Sequence, residues 1–73
     1  MVARLESSRD IDCIANKLEA LDYEVILYDK KVAFIYRKRI NISQLKRDVD
    51  SAKDACKYNH IIKMTYGTSS MNI

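Results

Sequence analysis

The chain has 73 residues, which is enough for one domain with a modest core. Its 13 Lys and Arg against 10 Asp and Glu give a net charge of +3, which is compatible with a polyanionic partner without requiring one. No apolar run approaches the ~18 residues of a membrane span. A single glycine and no proline exclude a glycine-rich phosphate loop and a proline-rich linker.

The first two predicted elements are a strand over residues 1–6 and a helix over residues 7–23. Ser7 is a suitable N-cap for this helix, and Asp10 stands three residues later, where a carboxylate favours the positive end of the helix dipole. The helix is predicted from four apolar residues that recur every three or four positions: Ile11, Ile14, Leu18 and Leu21. An alternative for residues 1–6, an extension of the helix, stays open.

A β-hairpin and a second helix are predicted next. Residues 24–38 hold two runs of β-forming residues on either side of the polar segment 29–31, which is short enough for a tight turn. Residues 41–58 predict a helix with Asn41 as its cap. The apolar stripe of this helix consists of Ile42, Leu45, Val49, Ala52 and Cys56. Charges of both signs cover its other faces, which indicates a solvated outer surface.

A last strand is predicted over residues 60–66. Residues 1–67 are expected to form a single α+β domain, and residues 68–73 a flexible C-terminal tail. The order β-α-β-β-α-β, with right-handed crossovers, places two helices on one face of an antiparallel sheet, which is a ferredoxin-like sandwich. If residues 1–6 are helical instead, the order is α-β-β-α-β with a three-stranded sheet.

The predicted strands leave an apolar face uncovered. They carry large apolar side chains on both faces, and two helices cover only one face of a sheet. Leaving several of these side chains in water lowers stability, so we expect a second copy of the chain to cover them. The expected interface consists of Ile26, Tyr28, Ile35, Ile62 and Met64. The alternative is a twisted sheet whose tail or strand ends cover that face.

The stretch VAFIYRKR, residues 32–39, ends in three consecutive cations. Together with two cations on the following helix, they are expected to contact the phosphate groups of a nucleic acid. This predicted patch consists of Arg37, Lys38, Arg39, Lys46 and Arg47. The alternative is that the cations mark a solvated strand end and discourage edge pairing. Phe34, in the same stretch, is either a core residue or a ring that stacks on a base.

No catalytic constellation, metal site or cofactor is predicted. His60 is the single histidine, and it has no Ser or Cys beside it in the sequence. Cys13 and Cys56 fall on the apolar stripes of the two helices, so they are expected to be small core residues, with a disulfide as the alternative. Two cysteines without a signal peptide indicate a reducing, cytoplasmic compartment.

Three families share parts of this layout, and the chain is assigned to none of them. Residues 31–36 are similar in part to the central strand of RNA-recognition-motif domains, although the glycine after the first basic residue is missing. The layout resembles heavy-metal-associated domains, but Asp10 replaces the first of their paired thiols and leaves Cys13 alone. It also resembles restriction-endonuclease-like cores, but no carboxylate stands two residues before Lys38.

These observations predict a small, non-enzymatic binding or regulatory protein. The leading interpretation is a homodimer that contacts nucleic acid through the basic patch. The alternative is a protein–protein interaction module, such as an inhibitor or adaptor, that docks through its apolar sheet face or an edge strand.

Overall fold

The computed structural model describes residues 2–73, and Met1, which the sequence assigned to the first strand, lies outside them. The described chain is α+β, with two helices and a five-stranded antiparallel sheet. The elements are β1 Val2–Ser7, α1 Asp12–Glu19, β2 Glu24–Asp29, β3 Val32–Tyr36, α2 Ile42–Cys56, β4 Ile62–Tyr66 and β5 Ser69–Asn72. The strand order is β2-β3-β1-β4-β5, so β2 and β5 are the edges. The three-stranded alternative is therefore wrong.

Helix α1 is shorter than the sequence predicted, because its expected cap belongs to β1. The Ser7 N–H donates to the Lys31 carbonyl at 3.0 Å, so strand β1 continues through this residue. The helix begins at Asp12, with Ile11 in the N-cap position and no side-chain cap. The predicted capping box of Ser7 and Asp10 is thus absent, since contacts with distant segments override the local signal.

Helix α2 follows the prediction closely. The Asn41 side chain accepts a hydrogen bond from the Gln44 N–H at 3.1 Å, which caps the helix as expected. Three residues of the predicted stripe are fully buried: Leu45, Val49 and Ala52. The helix ends at Lys57, whose φ of 52° is in the left-handed region that commonly terminates helices.

The predicted β-hairpin is present as β2 and β3. The polar turn is held by Asp29, whose Oδ1 accepts a hydrogen bond from the Lys31 N–H at 2.7 Å. The register shifts between Leu27 and Asp29, which is a bulge near the end of an edge strand. Outside the bulge, Val25 lies opposite Ile35 and Ile26 lies opposite Phe34, and this register decides which side chains share a face.

The C-terminal segment forms β5, which differs from the flexible tail that the sequence predicted. Gly67, with φ of 61°, permits the tight turn between β4 and β5. Main-chain hydrogen bonds of 3.0 and 2.8 Å join Ile62 and Ile73 in both directions, and Met71 packs against the core. Lys53 Nζ donates to the main-chain oxygen of Ile73 at 2.8 Å. Residues of weak strand propensity thus become a strand because an edge offers unpaired main-chain groups.

The core lies between one face of the sheet and the two helices. The residues that the sheet buries alternate along their strands and share this covered face: Ala3, Leu5, Ala33, Ile35, Ile62 and Met64. Helix α1 contributes Ile14 and Leu18, and α2 contributes the stripe described above. No helix covers the opposite side of the described sheet, which we call the open face.

A disulfide joins the helices, which corrects the expectation of two separate core cysteines. Cys13 in the first turn of α1 and Cys56 at the end of α2 are bonded, with their Cα atoms 6.1 Å apart. Cys13 is exposed and Cys56 is half-buried, so neither is a fully buried core residue. Disulfides persist mainly in oxidising surroundings, so this bond removes the basis on which a reducing compartment was expected.

Candidate nucleic-acid interface

Three aromatic rings lie together on the open face of the β2–β3 hairpin. Phe34 and Tyr36 alternate with buried residues along β3, and Ile26 lies opposite Phe34 on β2. The Tyr28 ring meets the Phe34 ring edge to face, with 6.3 Å between their centroids and an angle of 86° between their planes. We call these four residues, Ile26, Tyr28, Phe34 and Tyr36, the aromatic surface.

The aromatic surface is open to solvent. Tyr28 is 76% exposed, Ile26 50% and Tyr36 37%, while Phe34 is half-buried beneath its neighbours. The sequence left Phe34 between a core position and a stacking position, and the strand register places it on the open face. Contiguous exposed rings on a small domain point to a ligand or partner.

Only part of the expected dimer interface lies on the open face. Ile26 and Tyr28 are there, as the sequence predicted. Ile35, Ile62 and Met64 are fully buried on the covered face and cannot reach a partner. The reason is the register, because Ile35 lies opposite Val25, one position away from the Ile26–Phe34 pair, and side chains alternate between faces.

The other half of the open face is polar. The sequence had predicted large apolar side chains on both faces of the sheet. On β1, the guanidinium of Arg4 lies 3.2 Å from the carboxylate of Glu6. On β4, Lys63 and Thr65 take the corresponding positions, opposite Glu6 and Arg4. On the strands, the large exposed apolar side chains of this face therefore lie on β2, β3 and the adjoining end of β1, where Val2 is exposed, while Ile61 just before β4 is exposed as well.

Within the predicted basic patch, Arg37 is engaged inside the molecule. Its guanidinium carbon lies 4.2 Å from the centroid of the Tyr23 ring, a cation–π contact. Its Nη2 also donates to the Leu21 carbonyl at 3.4 Å. Arg37 therefore joins the end of β3 to the segment after α1, and it holds the following loop in place.

The other four cations of the patch are exposed but lie on two different elements. Lys38 and Arg39 are in the loop between β3 and α2. Lys46 and Arg47 are on the outer surface of α2, where they line a depression of about 290 Å³ with Ser43 and Asp50. A carboxylate thus stands beside the helix cations, so the loop cations are the stronger anchors for phosphate.

Beneath Arg37, a hydrogen-bonded cluster joins the start of β2 to α2. The Tyr23 hydroxyl donates to Asp48 Oδ2 at 2.6 Å, and the Gln44 side chain donates to Asp48 Oδ1 at 3.0 Å. Burial of the Tyr23 hydroxyl, aided by its hydrogen bond to the Asp48 carboxylate and by that negative charge, raises the pKa of Tyr23 to about 12. The cluster fixes the loop that carries Lys38 and Arg39.

Residues 2–73 hold no group of three or more His, Cys, Asp or Glu side chains that is arranged to bind a metal ion. Neither helix within these residues has the length and apolar character needed to cross a membrane. Comparison with known proteins finds no family model, no curated protein and no solved structure that matches the chain.

Proposed function

We propose that this chain is a small, non-enzymatic binding module that holds single-stranded nucleic acid on the aromatic surface. The observation that carries the proposal is the set of three rings on two neighbouring strands of one open face. Every base has a flat π-face, so rings of this kind stack on bases with little regard to sequence, each contributing about 1–3 kcal/mol. Bases in a duplex are already stacked, so we expect a preference for single strands.

Cations at both ends of the aromatic surface support this proposal. Lys30 and Lys31 form the turn before β3, and Lys38 and Arg39 follow its end. With five residues, β3 is about 16 Å long, so a strand of nucleic acid laid along it passes from one cation pair to the other. Such cations attract phosphate without reading sequence. Lys46 and Arg47, on the outer surface of α2, add positive charge in the helix layer on the other side of the sheet.

We infer a ferredoxin-like βαββαβ sandwich with β5 as an addition at its edge. The chain order β1-α1-β2-β3-α2-β4 and the burial of both helices against one face support this inference. The architecture matters for function because a sheet covered by helices on one side only leaves its other side free for a ligand.

The second candidate is a protein-interaction module, and the exposed edge β2 favours it. In this edge strand Ile26 and Leu27 are exposed beside Tyr28, and its outer main-chain groups have no partner strand among residues 2–73. A partner protein would add a strand to this edge or cover the rings, with a second copy of the chain as the simplest case. Nucleic acid remains the leading candidate because the rings lie between two pairs of cations.

Fluorescence anisotropy with a labelled single strand of mixed sequence tests the leading proposal. Binding should weaken as salt increases, and a duplex of the same sequence should compete poorly. Phe34→Leu and Tyr36→Leu keep an apolar side chain and remove the ring, so each should weaken binding about tenfold. Lys38→Gln should weaken binding and reduce its dependence on salt.

Lys17→Gln is the matched control for Lys38→Gln, since Lys17 is an exposed cation on α1, in the helix layer on the other side of the sheet. It should bind like the wild type. Absence of binding at low salt, or a Phe34→Leu variant that binds normally, would contradict the nucleic-acid proposal. A light-scattering mass of twice the monomer, reduced by Ile26→Ser, would favour the second candidate.

A further inference from the structure

A cleft at the hairpin-turn end of the molecule is separate from the aromatic surface. It lies where β1 ends, β3 begins and the segment from α2 to β4 passes, and its volume is about 600 Å³. We call it the end cleft. Its charged and imidazole-bearing lining residues are Arg9, Asp10, Lys31, Lys57 and His60. None of them belongs to the predicted basic patch, although Lys31 is also one of the two turn cations at the end of the aromatic surface. Volumes of this order suit small ligands.

Hydrogen bonds hold the walls of the end cleft together. The Tyr58 hydroxyl lies 2.6 Å from Ser7 Oγ and 2.9 Å from the Arg9 carbonyl, so the segment after α2 is tied to the segment after β1. Ser7 Oγ in turn donates to the Ile61 carbonyl at 2.8 Å. The hairpin turn is attached through the hydrogen bond between Ser7 and Lys31 described above. A ligand would therefore meet cations on segments whose main chains are already positioned.

The charge of the end cleft is suited to a dianion. Arg9, Lys31 and Lys57 contribute three positive charges, and Asp10 contributes one negative charge. None of these cations forms an ion pair with a side chain among residues 2–73. Cations from three separate segments line the cleft, and the carboxylate of Asp10 balances only one of their charges. A ligand with two negative charges would therefore neutralise the cleft.

We propose that the end cleft binds a phosphate monoester in its dianionic form. A phosphate group offers three acceptor oxygens, which matches a planar guanidinium and two ammonium groups on different walls better than one carboxylate would. Asn59 and Ser8 line the same cleft and add polar groups. This site would exist even if the aromatic surface binds no nucleic acid.

The phosphate has two candidate sources, a small free ligand and the 5′ end of a nucleic-acid strand. A second depression of about 650 Å³ shares Ser8, Asn59 and His60 with the end cleft. It continues to Val32 and Lys63 on the open face, with Glu6 also in its wall. A strand that leaves the aromatic surface along this path would bring its end to the cleft.

Titrations of the isotope-labelled chain with AMP and with adenosine, followed by amide NMR shifts, test the proposal. AMP should move the amide signals of Arg9, Asn59 and His60, whereas adenosine, which lacks the phosphate, should not. Inorganic phosphate should move the same signals. A 5′-phosphorylated oligonucleotide that binds at least threefold more tightly than its 5′-hydroxyl counterpart would identify the strand end as a source.

Substitutions on two different walls of the end cleft test the phosphate site without relying on the folding of a single segment. Lys57→Asn removes a charge and tolerates the left-handed backbone at that position, and it should weaken AMP binding about tenfold. Lys31→Gln should do the same from the hairpin turn. Lys17→Gln, an exposed cation on α1 outside the cleft, should leave AMP binding unchanged.

The two proposals fail separately. If AMP binds at the cleft and oligonucleotides with either 5′ end do not bind at all, the nucleic-acid function fails and the phosphate site stands with a small ligand. If neither AMP nor phosphate moves these signals up to ~10 mM, a range that would reveal millimolar affinity, the phosphate site is wrong. Equal shifts with adenosine would also overturn it.

Discussion

The two faces of the sheet differ in composition and in exposure to solvent. The covered face is largely apolar, because both helices pack on it and the large side chains of its central strands leave water, whereas Leu27 on the edge strand β2 stays exposed. The open face is apolar mainly on β2, β3 and the adjoining end of β1, and polar on the rest of β1, on β4 and on β5. An apolar residue on the covered face is explained by stability, whereas one on the open face has no such explanation. The aromatic surface therefore stands out as a functional candidate.

The disulfide should give the largest effect, because it fixes the helix layer of the covered face. The bond closes a loop with a sequence separation of 43 residues, which corresponds to about 4 kcal/mol in the chain-entropy model. Replacing both cysteines with serine should lower the free energy of unfolding by this amount, as measured by urea denaturation. The wild type in a reducing agent should show a similar loss. Equal midpoints in all three samples would mean that the bond adds no stability.

A pair of isoleucines tests the comparison between the faces directly. Ile35→Ala opens a cavity on the covered face, where Ile35 is 0% exposed, and should lower the free energy of unfolding by about 3 kcal/mol. Ile26→Ala, on the open face, should cost less than about 1 kcal/mol because the side chain already contacts water. Denaturation at several protein concentrations measures both. A similar, concentration-dependent loss in Ile26→Ala would mean that a second copy covers the open face.

A substitution of Tyr23 tests the hydrogen bond that joins the start of β2 to α2 on the covered side of the sheet. Tyr23→Phe removes the hydrogen bond to the Asp48 carboxylate and should cost about 2 kcal/mol at neutral pH. The pKa of Tyr23 is about 12 in the folded chain, above the ordinary value of 10.0, so its contribution is complete below pH 10. The difference in stability between wild type and variant should shrink as the pH rises towards 12. A constant difference over this range would contradict the assignment.

The smallest effect is expected from the polar half of the open face. The pair between Arg4 and Glu6 is exposed, so Glu6→Gln should change the free energy of unfolding by less than about 0.5 kcal/mol. It should also leave binding at the aromatic surface nearly unchanged. If this substitution abolished nucleic-acid binding, the ligand would have to contact the polar half of the open face as well as the apolar half. The aromatic surface alone would then not be the binding site.

Much of the local structure could be predicted from particular residues. Apolar residues spaced by three or four positions, such as Leu45 and Val49, predicted α2, and Asn41 predicted its start. The polar turn at Asp29 separated β2 from β3 as expected. These elements depend on contacts between residues close in sequence, so a single sequence carries their signal.

The candidate sites could be predicted only in part. The sequence predicted the cations at 37–39 as a contact surface, which stays a prediction. It did not predict that Arg37 stacks on Tyr23, because that contact depends on how the end of β3 meets the segment after α1. The end cleft was missed because its cations come from three separate segments, with no spacing in the sequence to connect them. The disulfide was only the alternative to two core cysteines for the same reason, since it requires the start of α1 to meet the end of α2.

The sequence by itself determined the two helices, the hairpin, the last predicted strand and the alternation of side chains along them, because these follow from local periodicity and turn chemistry. Only the tertiary structure decided which alternating set is buried, since a register shift of one residue exchanges the faces. It also decided that residues 69–72 pair with β4, because the free edge of a strand lies outside any local pattern. The placement of Phe34 on the open face and the position of Arg9, Lys31 and Lys57 around one cleft are consequences of those long-range choices.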